Sequence, residues 1–123
     1  MAGAGWDMMA AWSVAADVAG AAYGVPAALI TSPSRGRGPR PPRAVWAAKK
    51  MAVHLAVVLS DCDYAALGRR LGLHKDTVAS HCAAIREACA ACDQVEALSG
   101  ALEVAAQHRL RAEQTCHAQR NVA

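Results

Sequence analysis

The side chains best suited to recognition chemistry lie in one short run, His74-Lys75-Asp76-Thr77, followed closely by Ser80 and His81. Lys75 can meet a phosphate or a guanine, and the hydroxyls of Thr77 and Ser80 can reach either a phosphate or a base edge. Asp76 suits a helix cap better, because phosphates repel a bare carboxylate. A second group is purely cationic. From Pro33 to Lys50 the chain carries Arg35, Arg37, Arg40, Arg43, Lys49 and Lys50 with no acidic residue among them. Such a one-sign cluster is the electrostatic footprint of a polyanion binder. Taken alone it also describes a solvated loop.

Other chemistries find less support. Ser80 and His81 are adjacent, so on a helix they diverge by about 100° and form no nucleophile–base pair. No two carboxylates share an apolar setting, and no enzymatic activity or cofactor is expected. Cys89-x-x-Cys92 with His81, and Cys116-His117, offer thiolate and imidazole ligands. Zinc thiolates usually come from a turn, whereas Cys89 and Cys92 are expected within a helix, so no metal site is expected. The five Cys follow helical spacing instead: Cys82, Ile85, Cys89 and Cys92 would share one face as small apolar packing residues of a reduced protein.

The elements that must carry these residues read as helices. With 123 residues the chain has room for one domain. Its hydrophobic content of 54%, without Phe and with few β-branched runs, suits an Ala-rich packing of close helices. A first helix is expected over about Asp7 to Tyr23, with Met8, Met9, Trp12, Ala16 and Ala19 at helical spacing and Gly24 as its stop. Pro26 to Thr31 can hold a short helical turn. Residues 32–43, holding four of the five prolines, form a basic Pro/Arg/Gly loop.

A second long helix should run from Arg43 to about Leu59, apolar enough to be central, with Lys49 and Lys50 on its wet side. Asp61 or Asp63 can cap a short helix ending at Leu71 before Gly72. Asp76 or Thr77 then starts another, whose Val78, Cys82, Ile85 and Cys89 face inward. A final amphipathic stretch from about Asp93 to Arg111 places Val95, Leu98, Leu102, Ala105 and Leu110 near one face. Residues 112–123 read as a polar, fraying tail.

Between Tyr64 and Ala88 the pattern meets the demands of a helix-turn-helix. These are a small residue where two helices cross (Gly68), a turn residue that tolerates positive φ (Gly72), and an apolar lock six positions later (Val78). His81 departs from the pattern, since an apolar residue is more usual there, and Cys82 can supply that packing. In such a motif the start of the second helix points into the major groove. His74, Lys75, Asp76, Thr77, Ser80 and His81 then face outward, while Arg69, Arg70 and Arg86 are candidate backbone clamps. An ordinary helical hairpin with a glycine turn is the plain alternative.

The order of these residues resembles a known family. The chain reads Val18-Ala19-x-x-x-Tyr23-Gly24-Val25, Leu29, an Arg-rich loop, then Lys49-Lys50-Met51-Ala52-Val53-His54-Leu55-Ala56. It continues with Tyr64-x-x-Leu67-Gly68-x-x-Leu71-Gly72, Asp76-Thr77-Val78 and Ile85. This is similar to the C-terminal DNA-binding domain of the bacterial replication initiator DnaA, over about Val14 to Leu98. The resemblance implies an all-helical fold, a major-groove helix starting at Lys75, Asp76 and Thr77, and a basic loop of Arg35, Arg37, Arg40 and Arg43 reaching the minor groove. Where the family has Gly-Arg-Asp-His-[ST]-Thr-Val, this chain has Gly72-Leu73-His74-Lys75-Asp76-Thr77-Val78 and keeps only the ends. No G-x-x-x-x-G-K-[ST] phosphate loop is present, so the sequence does not hold the initiator's ATPase module. It resembles the DNA-binding head used alone or as part of a longer protein.

The combined expectation is an all-α, compact bundle of five to six helices, a single domain over residues 1–111. It would bind double-stranded DNA sequence-specifically as a bacterial transcriptional regulator, with RNA polymerase as a candidate partner. DnaA-like heads also occur in regulators of phage-like elements, including activators of gene transfer agents. A cytoplasmic, nucleoid-associated location is expected, because the apolar N-terminus lacks a basic n-region and carries Asp7 and Asp17. The rival readings are a helical protein–protein adaptor and an accessory factor in control of replication initiation.

Overall fold

The computed structural model describes residues 5–32 and 42–122, all of whose regular structure is helical. Arg35, Arg37 and Arg40, and with them most of the expected basic loop, lie outside the described residues. Helix α1 spans Met8–Tyr23, α2 Ala27–Thr31, α3 Arg43–Ser60, α4 Tyr64–Leu71, α5 Lys75–Ala91 and α6 Asp93–Val122. No helix among the described residues is long and apolar enough to cross a membrane.

Local chemistry sets the boundaries. Asp7 accepts a hydrogen bond from the Ala10 amide at 3.0 Å and caps α1. Asp63 does the same for α4 through the Ala66 amide at 2.6 Å. Gly24 and Gly72 end α1 and α4 in the left-handed region, at φ 68° and 72°. The two ends share one construction. The Val25 amide donates to the Gly20 carbonyl at 2.8 Å, and the Leu73 amide donates to the Gly68 carbonyl at 2.9 Å. A Cβ on Gly20 would stand 2.5 Å from the Val25 carbonyl oxygen, and one on Gly68 equally close to that of Leu73. Each Gly-x-x-x-Gly-apolar run is therefore a helix terminus folded back on its own last turn.

Helix α3 is the centre. Met51, Ala52, Val53, Leu55 and Ala56 are all buried, because α1, α2, α5 and α6 each pack against it. Its most extensive partner is α1, through the small side chains Ala11, Ala15, Ala16 and Ala19, which let the two helices approach closely. Met9, expected in the apolar stripe of α1, is 40% exposed, and Ala22 near the end of that helix is exposed too.

Helix α6 lies across α1, α5 and α3, and an Arg109–Asp17 ion pair of 3.0 Å ties it to α1. Its buried stripe is Ser99, Leu102, Ala106 and Leu110. Ala105, expected on this face, is exposed. The expected fraying after Arg111 is also corrected. The helix runs on to Val122, although every residue from Arg111 to Gln119 is exposed. A polar sequence without Gly or Pro after Gly100 can leave the bundle and still remain helical.

Candidate functional site

Helices α4 and α5 are joined only by Gly72, Leu73 and His74. The expected start of the second helix at Asp76 or Thr77 is corrected by one turn residue: His74 is the cap. Its Nδ1 accepts from the Asp76 amide at 3.1 Å, and its carbonyl accepts from the amides of Thr77 and Val78 at 3.0 and 3.2 Å. The Asp76 carboxylate stands 3.5 Å from the same Nδ1 and lies in the first turn of α5, where the helix dipole favours a negative charge.

The two helices are locked from beneath. Leu67, Val78 and Cys82 are fully buried and Ile85 nearly so. Arg86 donates to the Tyr64 hydroxyl at 3.3 Å, bridging α5 to α4 on the surface. The first turns of α5 therefore stand on a fixed base. From them His74, Lys75, Asp76 and Ser80 project into solvent, while Thr77 is half-buried.

His81 does not join them, and the expectation that it faces outward is corrected. It is 4% exposed, and its ring meets Trp46 of α3 edge to face, with centroids 5.1 Å apart and planes at 83°. Its Nε2 is buried without a hydrogen-bond partner among the described residues. Burial, reinforced by the charges of Lys50 and Lys49, holds the His81 pKa below the ordinary histidine value. His54 is shifted the same way by burial and by Arg86. Expectation and structure differ because α3 passes under this part of α5, turning position 81 into core.

The two lysines of α3 also separate. Lys50 is half-buried, with its Nζ 5.7 Å over the Trp46 ring, a cation–π arrangement. Arg43, Trp46 and Lys50 follow three- and four-residue steps, so they share one stripe of α3 beside His81. Lys49, expected on the wet side, is only 7% exposed. It lines a cavity on another side of α3, and burial lowers its pKa.

The fold thus sets Lys50 and Trp46 beside His81 in the second turn of α5 and leaves Arg43 exposed at the start of α3, while Lys49 and His81 are buried. Trp46 is the residue that sequence reasoning missed. It reads as core, yet it is 36% exposed at the seam of α3 and α5. The available signal is Lys50 four positions on, a spacing that stacks a cation on an aromatic ring. Arg69, Arg70 and Arg86 are all exposed and surround the same pair of helices with positive charge.

The five cysteines are unpaired, with Cys82 buried and Cys116 exposed. Cys92, expected within a helix, instead forms the single non-helical link between α5 and α6, where its carbonyl accepts from the Val95 and Glu96 amides. Among the described residues no three His, Cys, Asp or Glu side chains group as a metal site would require.

Compared with known proteins, the chain matches no protein-family model, no curated protein and no solved structure.

Proposed function

We propose that this protein binds double-stranded DNA through a helix-turn-helix made of α4 and α5, with α5 as the recognition helix, and that it acts as a bacterial transcriptional regulator. One observation carries the reading. The α4–α5 turn is fixed by Gly68, Gly72 and the buried Leu67, Val78 and Cys82, and it presents an exposed polar first turn between flanking cations. A rigid base under an adaptable polar tip is what base readout needs, because misplacement of a donor by a fraction of an ångström loses the hydrogen bond.

In this reading Lys75 meets a phosphate or guanine, and Thr77 and Ser80 reach phosphate or base edges. Arg43 and Lys50 neutralise backbone phosphates on one side of α5, while Arg69, Arg70 and Arg86 do so on the other. The arginines at positions 35, 37 and 40 belong to the reading by composition and by the resemblance to the DnaA head, in which a basic loop enters the minor groove.

The test is fluorescence anisotropy of the full chain against a labelled random duplex at several salt concentrations. About four to six neutralised phosphates give a log–log salt slope of roughly −4 to −5. Binding absent at low salt overturns the proposal. It would favour the second reading, a helical adaptor that binds another protein. The observation on that side is α6, which leaves the bundle fully exposed from Arg111 to Gln119.

A further inference from the structure

Lys49 presents an unusual electrostatic situation. The residue as a whole is only 7% exposed, it lines a cavity, and no hydrogen bond or ion pair holds it among the described residues. An ammonium facing a partly enclosed, mostly apolar cavity pairs more strongly with a counterion there than in bulk water, because the local dielectric is lower. The cavity it lines, about 420 Å³, lies between α1, α2, α3 and the α4–α5 turn. Arg70 supplies a second cation at its edge, and the walls are otherwise chiefly apolar: Trp12, Ile30, Leu71 and Leu73.

The lining holds no carboxylate. Neither does the stretch from position 33 to 41, which follows the lining residue Ser32 and contains only Pro, Ser, Arg and Gly. A DNA backbone phosphate would leave the apolar lining unused, whereas an anion with an apolar body would cover it. The volume is that of a small-molecule site, which typically spans about 300–1,000 Å³ with mostly apolar walls and few polar groups.

We infer that this cavity binds a small organic anion, with its carboxylate or similar acidic head paired to Lys49 and Arg70 and its apolar body against Trp12, Ile30, Leu71 and Leu73. The site is separate from the DNA-binding reading in all but Arg70, which that reading also sets against a phosphate, and the calorimetry without DNA tests it alone. Leu71 and Leu73 flank Gly72, so an occupant braces the turn between α4 and α5.

The probes are sodium phenylacetate, its neutral counterpart phenylacetamide, and inorganic phosphate, each titrated calorimetrically into the full chain without DNA. Phenylacetate binds saturably at one site and raises the Tm, and phenylacetamide binds at least about tenfold more weakly, the scale of one missing charge-assisted hydrogen bond. In Lys49→Met the difference between acid and amide shrinks severalfold, Arg70 alone remaining to hold the acid, while the helical circular dichroism is retained. Lys49→Gln replaces that variant if it does not fold, and the comparison of the two probes on the unmodified protein needs neither. Absence of saturable phenylacetate binding overturns the inference. So do equal affinities for acid and amide, undiminished acid binding in the variants, or phosphate binding as tightly as phenylacetate, since the apolar wall would then contribute nothing.

Discussion

His81 of α5 meets Trp46 of α3 edge to face at 5.1 Å, and this pairing joins the central helix to the one that carries the exposed polar turn. It places a histidine where an apolar side chain would be ordinary, with its Nε2 buried and unpartnered among the described residues. Three consequences follow for His81→Leu. The DNA affinity stays unchanged, because position 81 does not face solvent. Stability at pH 7 stays within about 1 kcal/mol of the parent, since removing an unsatisfied polar atom offsets removing the ring–ring interaction.

The third consequence concerns pH. The folded pKa values of His54 and His81 lie below the ordinary value, so on acidification the unfolded chain takes up protons first. Stability therefore falls as pH drops from about 6.5 toward the folded pKa values. Urea denaturation at pH 7 and pH 5 should show a shallower loss for His81→Leu than for the parent. An equal loss would remove His81 from this account.

The two kinds of helical glycine give opposite signs. Gly68→Ala puts a Cβ 2.5 Å from the Leu73 carbonyl oxygen and costs about 2–4 kcal/mol, as overpacking against backbone does. Gly100 has nothing within 4 Å of its would-be Cβ, so Gly100→Ala stabilises by about 0.5–1 kcal/mol through helix propensity. Chemical denaturation of the two variants measures both, and a stable Gly68→Ala would refute the tight α4–α5 turn.

His74→Asp separates folding from binding. Aspartate is the stronger N-cap, so the variant should match or exceed the parent in Tm, by up to about 1 kcal/mol in stability. The same negative charge beside Lys75 should weaken DNA binding at every sequence tested. A variant that is more stable and binds DNA equally well would place the duplex elsewhere on the surface.

Arg43→Ala with Lys50→Ala should lower the magnitude of the salt slope by about two, near one for each phosphate that is no longer neutralised. The effect should be the same on random and selected duplexes. An unchanged slope removes the α3 stripe from the interface.

Much of this architecture is legible in the residues, and the failures have identifiable causes. Gly24 and Gly72, each closing a helix in the left-handed region, and the caps Asp7 and Asp63 mark out the helix order. Lys49 and Lys50 cannot be told apart in the sequence, because a central helix is covered on most sides and adjacent residues differ only by a 100° turn. His74 is hard to recognise as a cap beside Asp76 and Thr77, which are better capping types. The Leu73 amide bond to Gly68 returns the chain to helix sooner than side-chain preference suggests. At the end of α6 polarity imitates fraying, although the Arg109–Glu113 pair, at i and i+4, supports the helix where it leaves the bundle.

The central claim is that the exposed first turns of α5 read DNA sequence. The most direct test is selection of bound duplexes from a randomised pool by the full chain, followed by sequencing, in parallel with the Thr77→Ala, Ser80→Ala double variant. The account predicts an enriched motif for the parent. It predicts a flattened motif for the variant, whose affinity for unselected DNA remains close to the parent's. The same motif from both proteins, or none from the parent, would contradict it.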